Sequence, residues 1–241
     1  MQLRCFTRAM GAVTLATGSA LLSFAALSSS TASASTSEQP TFTAFSLAGQ
    51  DRFASAASVA EETFGSNAAT VLVTDGVMFP DALVASYLAG AETGGAPILL
   101  TNPDGLPASI TQALGELHAV KVVIVGGDEA VSARVQEQLS SRYATSRIAG
   151  PNRYDTVEAV DAQVGIPVGT DPGGERTAIL VSGTNFPDAV SASALSYARH
   201  LPIVLTNPAR LSPQAATVLR EDHIAHVIAV GGPAAVKGRP A

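Results

Sequence analysis

The apolar positions along this chain fall into two kinds of run. Val71-Leu72-Val73-Thr74, Pro97-Ile98-Leu99-Leu100-Thr101 and 120–125 are short and continuous, without polar alternation, as expected of strands covered on both faces. Between them, apolar residues recur three and four apart, which predicts helices over 52–64, with Ala56, Val59 and Ala60 on one face, over 107–117 and over 131–139. Asp51 is a good N-cap for the first of these. Pro80 suits the first position of a further helix that stops at Gly94-Gly95, and Asp81 its first turn, where the dipole favours an anion. A short strand at 147–149 follows. Strands spaced by such helices imply right-handed crossovers and a mostly parallel sheet.

The pattern then occurs a second time. Phe79-Pro80-Asp81-Ala82 returns as Phe186-Pro187-Asp188-Ala189, Thr101-Asn102 as Thr206-Asn207, Gly126-Gly127 as Gly231-Gly232, and Gly49 as Gly150. Self-similarity at about a hundred residues indicates a tandem duplication. The expected fold class is α/β: tandem three-layer units with mostly parallel sheets and helices on both faces, at 46–145 and 146–241. A single continuous Rossmann domain fits less well, because the landmarks reset at Arg147. In the second unit only Pro233-Ala234-Ala235-Val236 precedes Lys237-Gly238-Arg239-Pro240-Ala241, whose Gly and Pro oppose helix. One face of the second sheet should then lack its covering helix and expose apolar surface, and self-association or marginal stability is expected.

The N-terminus reads as an address. Arg4 and Arg8 precede a mostly apolar stretch at 9–27, and Ala32-Ser33-Ala34 is an A-x-A cleavage site, so 1–34 is expected to be a signal peptide, 35–45 a linker, and the product secreted without a stable membrane span. The one cysteine, Cys5, falls within that signal, leaving no disulfide or thiolate chemistry to the remainder. Hydrophobic residues make up 46% of the chain, ample for a core. Its charge of −6 becomes −8 once Arg4 and Arg8 leave with the signal, which argues against nucleic acid as a partner. Cations other than Lys121 and Lys237 are Arg, so an anionic partner would be gripped by particular guanidinium groups.

Candidate chemistry is sparse. The Gly-Gly turns follow strands, but neither is G-x-G-x-x-G nor a P-loop. Asp81 and Asp188 are carboxylates repeated in register, whereas Asp75 has Ser182 as its counterpart, so glycoside hydrolysis finds no repeated pair. No nucleophile elbow is present. His118 aligns with His223, but Lys121 stands where His226 does, so metal ligation is not expected. Arg52 and Arg153 each follow a capping residue and precede an aromatic, Phe53 or Tyr154; a structural clamp and a ligand contact are equally good readings.

Together Gly-x-[Asp/Asn]-Arg-[Phe/Tyr], Phe-Pro-Asp-Ala, Pro-Ile-[Leu/Val]-Leu-Thr-Asn and Val-Gly-Gly-x-x-Ala-Val, in that order and twice over 46–236, resemble the cell wall binding repeat type 2 family. Its members include surface-layer-associated proteins of Gram-positive bacteria and a modifier of an autolytic amidase. The resemblance implies a non-catalytic unit, without cofactor, that holds a protein to the cell wall or cell surface through an anionic polymer, teichoic-acid-like or acidic polysaccharide. It also implies that such units cluster in threes about a pseudo-threefold axis, where this chain shows two. The family's Ile-Leu-Leu stretch is Ile98-Leu99-Leu100 here, and Ile203-Val204-Leu205 in the second copy. Candidate polymer-binding residues are therefore these six with Arg52, Arg153, Asp81, Asp188, Thr101, Asn102, Thr206 and Asn207, contacts being expected beyond the carboxyl ends of the strands. The alternative is an enzyme acting on wall glycan or a nucleotide-like ligand through Asp81, Asp188 and the Gly-Gly turns.

Overall fold

The computed structural model describes residues 44–164, 167–185, 187–233 and 235–237. The expected signal and nearly all of the expected linker, Phe186, and the last four residues lie outside that range. In chain order the first half gives α1 (Arg52–Phe64), β1 (Thr70–Asp75), α2 (Pro80–Ala91), β2 (Ile98–Thr101), α3 (Ala108–Glu116), β3 (Lys121–Val125), α4 (Ala133–Ser140) and β4 (Ala144–Ile148). The second gives α5 (Arg153–Asp161), β5 (Thr177–Ser182), α6 (Pro187–Arg199), β6 (Ile203–Thr206), α7 (Pro213–Glu221) and β7 (His226–Val230). All pairing between these strands is parallel, in sheets ordered β2-β1-β3-β4 and β6-β5-β7. Among the described residues no helix is long and apolar enough to cross a membrane.

The local signals act as their chemistry dictates. Asp51 Oδ1 accepts from Ala54 N at 2.7 Å, and Asn152 Oδ1 from Tyr154 N at 2.9 Å, so both start their helices. Pro80 opens α2, where its missing N–H costs nothing. His118 and His223 each adopt φ 53° just beyond α3 and α7, the left-handed turn that ends a helix. α4 begins at Ala133 rather than 131, because the extended backbone of Ser132 precedes it.

The strand expected at 147–149 runs instead from Ala144 to Ile148 and belongs to the first sheet, Val125 pairing with Ile148. Its side chains explain why. Arg147 donates from Nη1 to Gly126 O at 2.7 Å, from Nη2 to Val131 O at 2.7 Å and from Nε to Gln136 at 2.8 Å, and lies 3.3 Å from Asp128. The landmark that opens the second unit in sequence is thus bonded into the sheet of the first.

α2 lies at the centre. Leu83, Val84, Ala85, Tyr87, Leu88 and Ala89 are all buried, so the helix is covered on every side. One face meets the first sheet and the other meets α5 and α6, and a single apolar cluster runs from Leu72 and Val123 through α2 to Val157, Ile179 and Leu205. A second cluster fills the space between the first sheet and α1, α3 and α4. β7 is treated differently from β3. Ile124 is fully buried, whereas Ala229 at the equivalent place is exposed, because among the described residues no helix follows β7 and no strand joins its outer edge.

α2 and α6 approach so closely at Gly90 that a Cβ there would stand 2.3 Å from Tyr197 O. Gly90→Ala must therefore push the two helices apart. A loss of about 1–3 kcal/mol is expected, as for other overpacked cores, although alanine is the better helix former. Denaturant titration of the variant checks this, and unchanged or increased stability would show that the helices do not meet there.

Candidate functional site

Beyond the carboxyl ends of β1 and β3 lies a cleft of about 560 Å³, closed on its far side by the start of α5. Asp75, Asp81, Asp128 and Arg153 are among the side chains that line it, together with the Gly127 and Gly150 backbone. It sits where the two units meet, and it is the place where open α/β sheets present ligands.

Asp75 is almost wholly buried and engaged. Its Oδ1 accepts from Val77 N at 2.7 Å and its Oδ2 from Met78 N at 3.0 Å, which folds the loop leading into α2. In the second unit Ser182 does the same work, its Oγ accepting from Thr184 N and Asn185 N at 3.2 Å. The unequal pair Asp75 and Ser182 is thus one turn built with two side chains.

Asp81, in the first turn of α2, is set against the Gly-Gly turn. A Cβ on Gly126 would come within 2.6 Å of Asp81 Oδ2, and Gly126 has φ +122°. The contact recurs in the second unit, where a Cβ on Gly231, φ +120°, would stand 2.7 Å from Asp188 Oδ2. The repeated aspartate and the repeated glycine pair are therefore one device, and a side chain at either glycine would dislodge the carboxylate. Burial pushes the Asp81 carboxyl up to about 6, against the pull of the Arg153 charge and with a smaller upward push from Asp75.

Arg52 and Arg153 are clamps. Arg52 Nη1 donates to Gly76 O at 2.8 Å and Arg153 Nη1 to Gly183 O at 2.7 Å. The neighbouring Phe53 and Tyr154 rings lie on the same two glycines, where a Cβ would come within 2.6 Å of the ring. Each Arg-aromatic pair thus holds the loop that follows the first strand of its own unit. Arg153 also faces the cleft, whereas Arg52 stands at the exposed far end of the first unit.

The remaining candidates belong to the framework. Leu99 is buried and Ile98 and Leu100 are half-buried in β2, while Ile203, Val204 and Leu205 are all buried in β6. Thr101 Oγ1 donates to Gly105 O at 3.2 Å and Thr206 Oγ1 to Arg210 O at 3.0 Å, closing tight turns that start at Asn102 and Asn207. Those turns hold the chain beyond the Gly-Gly motifs: Ser132 N donates to Pro103 O at 2.8 Å and Lys237 N to Pro208 O at 2.6 Å. Among the described residues no group of three His, Cys, Asp or Glu side chains could hold a metal ion. His226 Nδ1 meets Asp171 at the surface.

Two repeats, each with an Arg–Gly clamp and an Asp–Gly contact, are now defined by geometry. A sequence model of cell wall binding domain 2 (CWB2) matches 46–136 and again 147–239. The chain belongs to the CWB2 family. The N-acetylmuramoyl-L-alanine amidase LytC of Bacillus subtilis is 29% identical over 187 residues, covering 77% of this chain and 36% of LytC. The amidase enhancer of the same organism is 32% identical over 166 residues, 67% of this chain and 22% of that protein. Among solved structures, Cwp8 of Clostridium difficile superposes with a TM-score of 0.67 at 29% identity, covering 79% of this chain and 31% of Cwp8. Cwp6 of the same organism gives 0.68 at 24% identity and shares the fold. The CWB2 chain therefore spans about a third or less of these four proteins, and the family role that it carries is binding at the cell wall.

Missing from the sequence reading are Gly76 and Gly183, the acceptors for the two arginines, and Arg147, which ties β4 to its turn. The signal for the first two was in the chain: a glycine directly follows both Asp75 and Ser182.

A carboxyl whose pKa is raised by folding weakens the fold as it ionises. For Asp81 the full stability is present below the ordinary carboxylate range near pH 4 and is lost as pH rises through about 6. At ~1.4 kcal/mol per pKa unit, the cost of the buried charge at pH 8 is about 3 kcal/mol. Asp81→Asn should therefore match the wild type at pH 4 and exceed it in thermal midpoint at pH 8. An equal gap at both pH values would show that Asp81 does not carry this charge penalty.

Proposed function

We propose that the chain is an exported, non-catalytic module that attaches non-covalently to an anionic polymer of the cell wall. The observation that carries this reading is the duplication itself. Membership of the CWB2 family supplies the wall, and the chain presents the same arginine clamp twice, Arg52 on Gly76 and Arg153 on Gly183. Two equivalent anchor points suit a polymer that is itself repetitive, since the second contact forms at a high effective concentration once the first is made. Each guanidinium spends one N–H on its loop carbonyl and keeps others for a phosphate or carboxylate. Of the carboxylates that an enzyme would need, Asp75 is occupied by two backbone amides, and Asp81 and Asp188 are packed against the glycine turns.

One observation favours an enzyme acting on wall glycan. Asp81 combines a raised pKa with a position in a cleft beside a cation, the combination that marks general acids. Release of soluble sugar or peptide from purified walls, lost in Asp81→Asn, would support it.

For the binding reading, purified walls should retain the protein, and walls stripped of anionic polymer by acid extraction should not. Retention should weaken with salt, and Arg52→Ala with Arg153→Ala should reduce it at least tenfold while the protein remains folded. Full retention on extracted walls would contradict an anionic partner. Undiminished retention by the folded double variant would leave both arginines as clamps alone.

A further inference from the structure

A polar cluster in the seam distinguishes the second unit from the first. α5 repeats α1, since Asn152-Arg153 returns the pattern of Asp51-Arg52, and α7 repeats α3, since His223 takes the turn of His118 with φ 53° in both. In that register Asp161 stands where the first unit has Ala60, and Asp222 where it has Leu117. Ala60 and Leu117 are buried in the apolar cluster between α1 and α3. The second unit packs α5 on α7 in the same way but places two carboxyl groups at the equivalent positions.

The Asp161 and Asp222 side chains hydrogen-bond to each other. That contact needs a proton, because two ionised carboxylates are acceptors only. Asp161 is the last residue of α5 and Asp222 caps α7, so both stand at the negative ends of helices. Asp222 Oδ2 is shut off from solvent and meets no donor. From α2, which packs on α5, the pair is faced by Tyr87, 2% exposed, whose phenol is pushed up by burial and by the two aspartate charges. Glu158 on α5 and Glu221 on α7 add negative charge, while Arg176 ahead of β5 and His223 beyond α7 oppose it. Arg176 is itself fixed there, Nη1 donating to Asp222 O at 2.9 Å. Burial, followed by the Asp222 charge, pushes the Asp161 carboxyl up to about 7, and burial raises Asp222 as well.

The other end of the same two helices is joined differently. Gln214 Nε2 at the start of α7 donates to Asp155 Oδ1 at the start of α5 at 2.6 Å, a bond that needs no shared proton. We propose that Asp161 and Asp222 form a proton-operated latch: one shared proton closes the carboxyl ends of α5 and α7 on each other and on Tyr87 of α2, and its loss opens that end of the seam while the Gln214–Asp155 end stays shut. Since folding raises Asp161, the stability it contributes is complete below the ordinary carboxylate range near pH 4 and is lost as pH rises through about 7. The latch is closed in mild acid and open in mild alkali.

Carboxyl carbon NMR and amide hydrogen exchange on the full chain test this. Both are measured in an Asp81→Asn background, so that ionisation of Asp81 does not contribute. Asp161 should titrate near pH 7. After correction for intrinsic base catalysis, the amides of 222–224, which close the end of α7 on Val218, Leu219 and Arg220 carbonyls, should exchange roughly tenfold faster at pH 8.5 than at pH 6. Asp161→Ala with Asp222→Leu, the residues of the first unit, should abolish that difference. Asp161→Asn, whose amide can donate to Asp222 as the shared proton does, should abolish it too. Titration of Asp161 in the ordinary range near pH 4, equal corrected exchange at the two pH values, or a difference that persists in a folded variant overturns the latch.

Discussion

The packing of α2 between two sheets is the constraint on which the rest of this molecule depends. A helix on the outside of an α/β layer needs one apolar stripe, and α2 is apolar all round because it serves two units at once. Its small residues permit that: at Gly90 the α6 backbone comes too near for even a methyl group. Burial at this seam sets the start of α5 against the carboxyl ends of β1 and β3, and so it creates the cleft. The Arg153 charge acts on Asp81 across the cleft because the second unit is docked there.

The repeated motifs are then understood as contacts rather than as separate signatures. Phe-Pro-Asp-Ala and Gly-Gly are distant in sequence but meet in each unit, aspartate against glycine. The arginine and aromatic at each helix start meet the glycine that follows β1 or β5. These pairings fix the loops at the sheet's carboxyl edge, the surface proposed to meet a wall polymer. The buried Ile-Leu-Leu and Ile-Val-Leu runs support that edge from below.

Much of this was legible in the chain. Continuous apolar runs gave the strands, capping residues gave the helix starts, and self-similarity gave the two units, because each of these is a local property of sequence. The long-range pairings were not legible. Nothing near Asp81 announces that its neighbour is Gly126, and nothing near 147 announces that Arg147 bonds backward to Gly126 O and Val131 O. The segment that opens the second repeat thus pairs with the sheet of the first, a contact that only the fold reveals. The burial of α2 on its outer face was hinted at by Leu83-Val84-Ala85, but its partner could only be found in space.

If α2 truly belongs to both sheets, the units cannot unfold independently, since either one leaving would strip apolar cover from the other. Scanning calorimetry of the chain at a dilution where it is monomeric measures this directly. The account predicts one transition whose calorimetric and van't Hoff enthalpies agree. Two resolved transitions, or a calorimetric enthalpy about twice the van't Hoff value, would mean that the seam is a contact between independent domains and that α2 is not the centre of the fold.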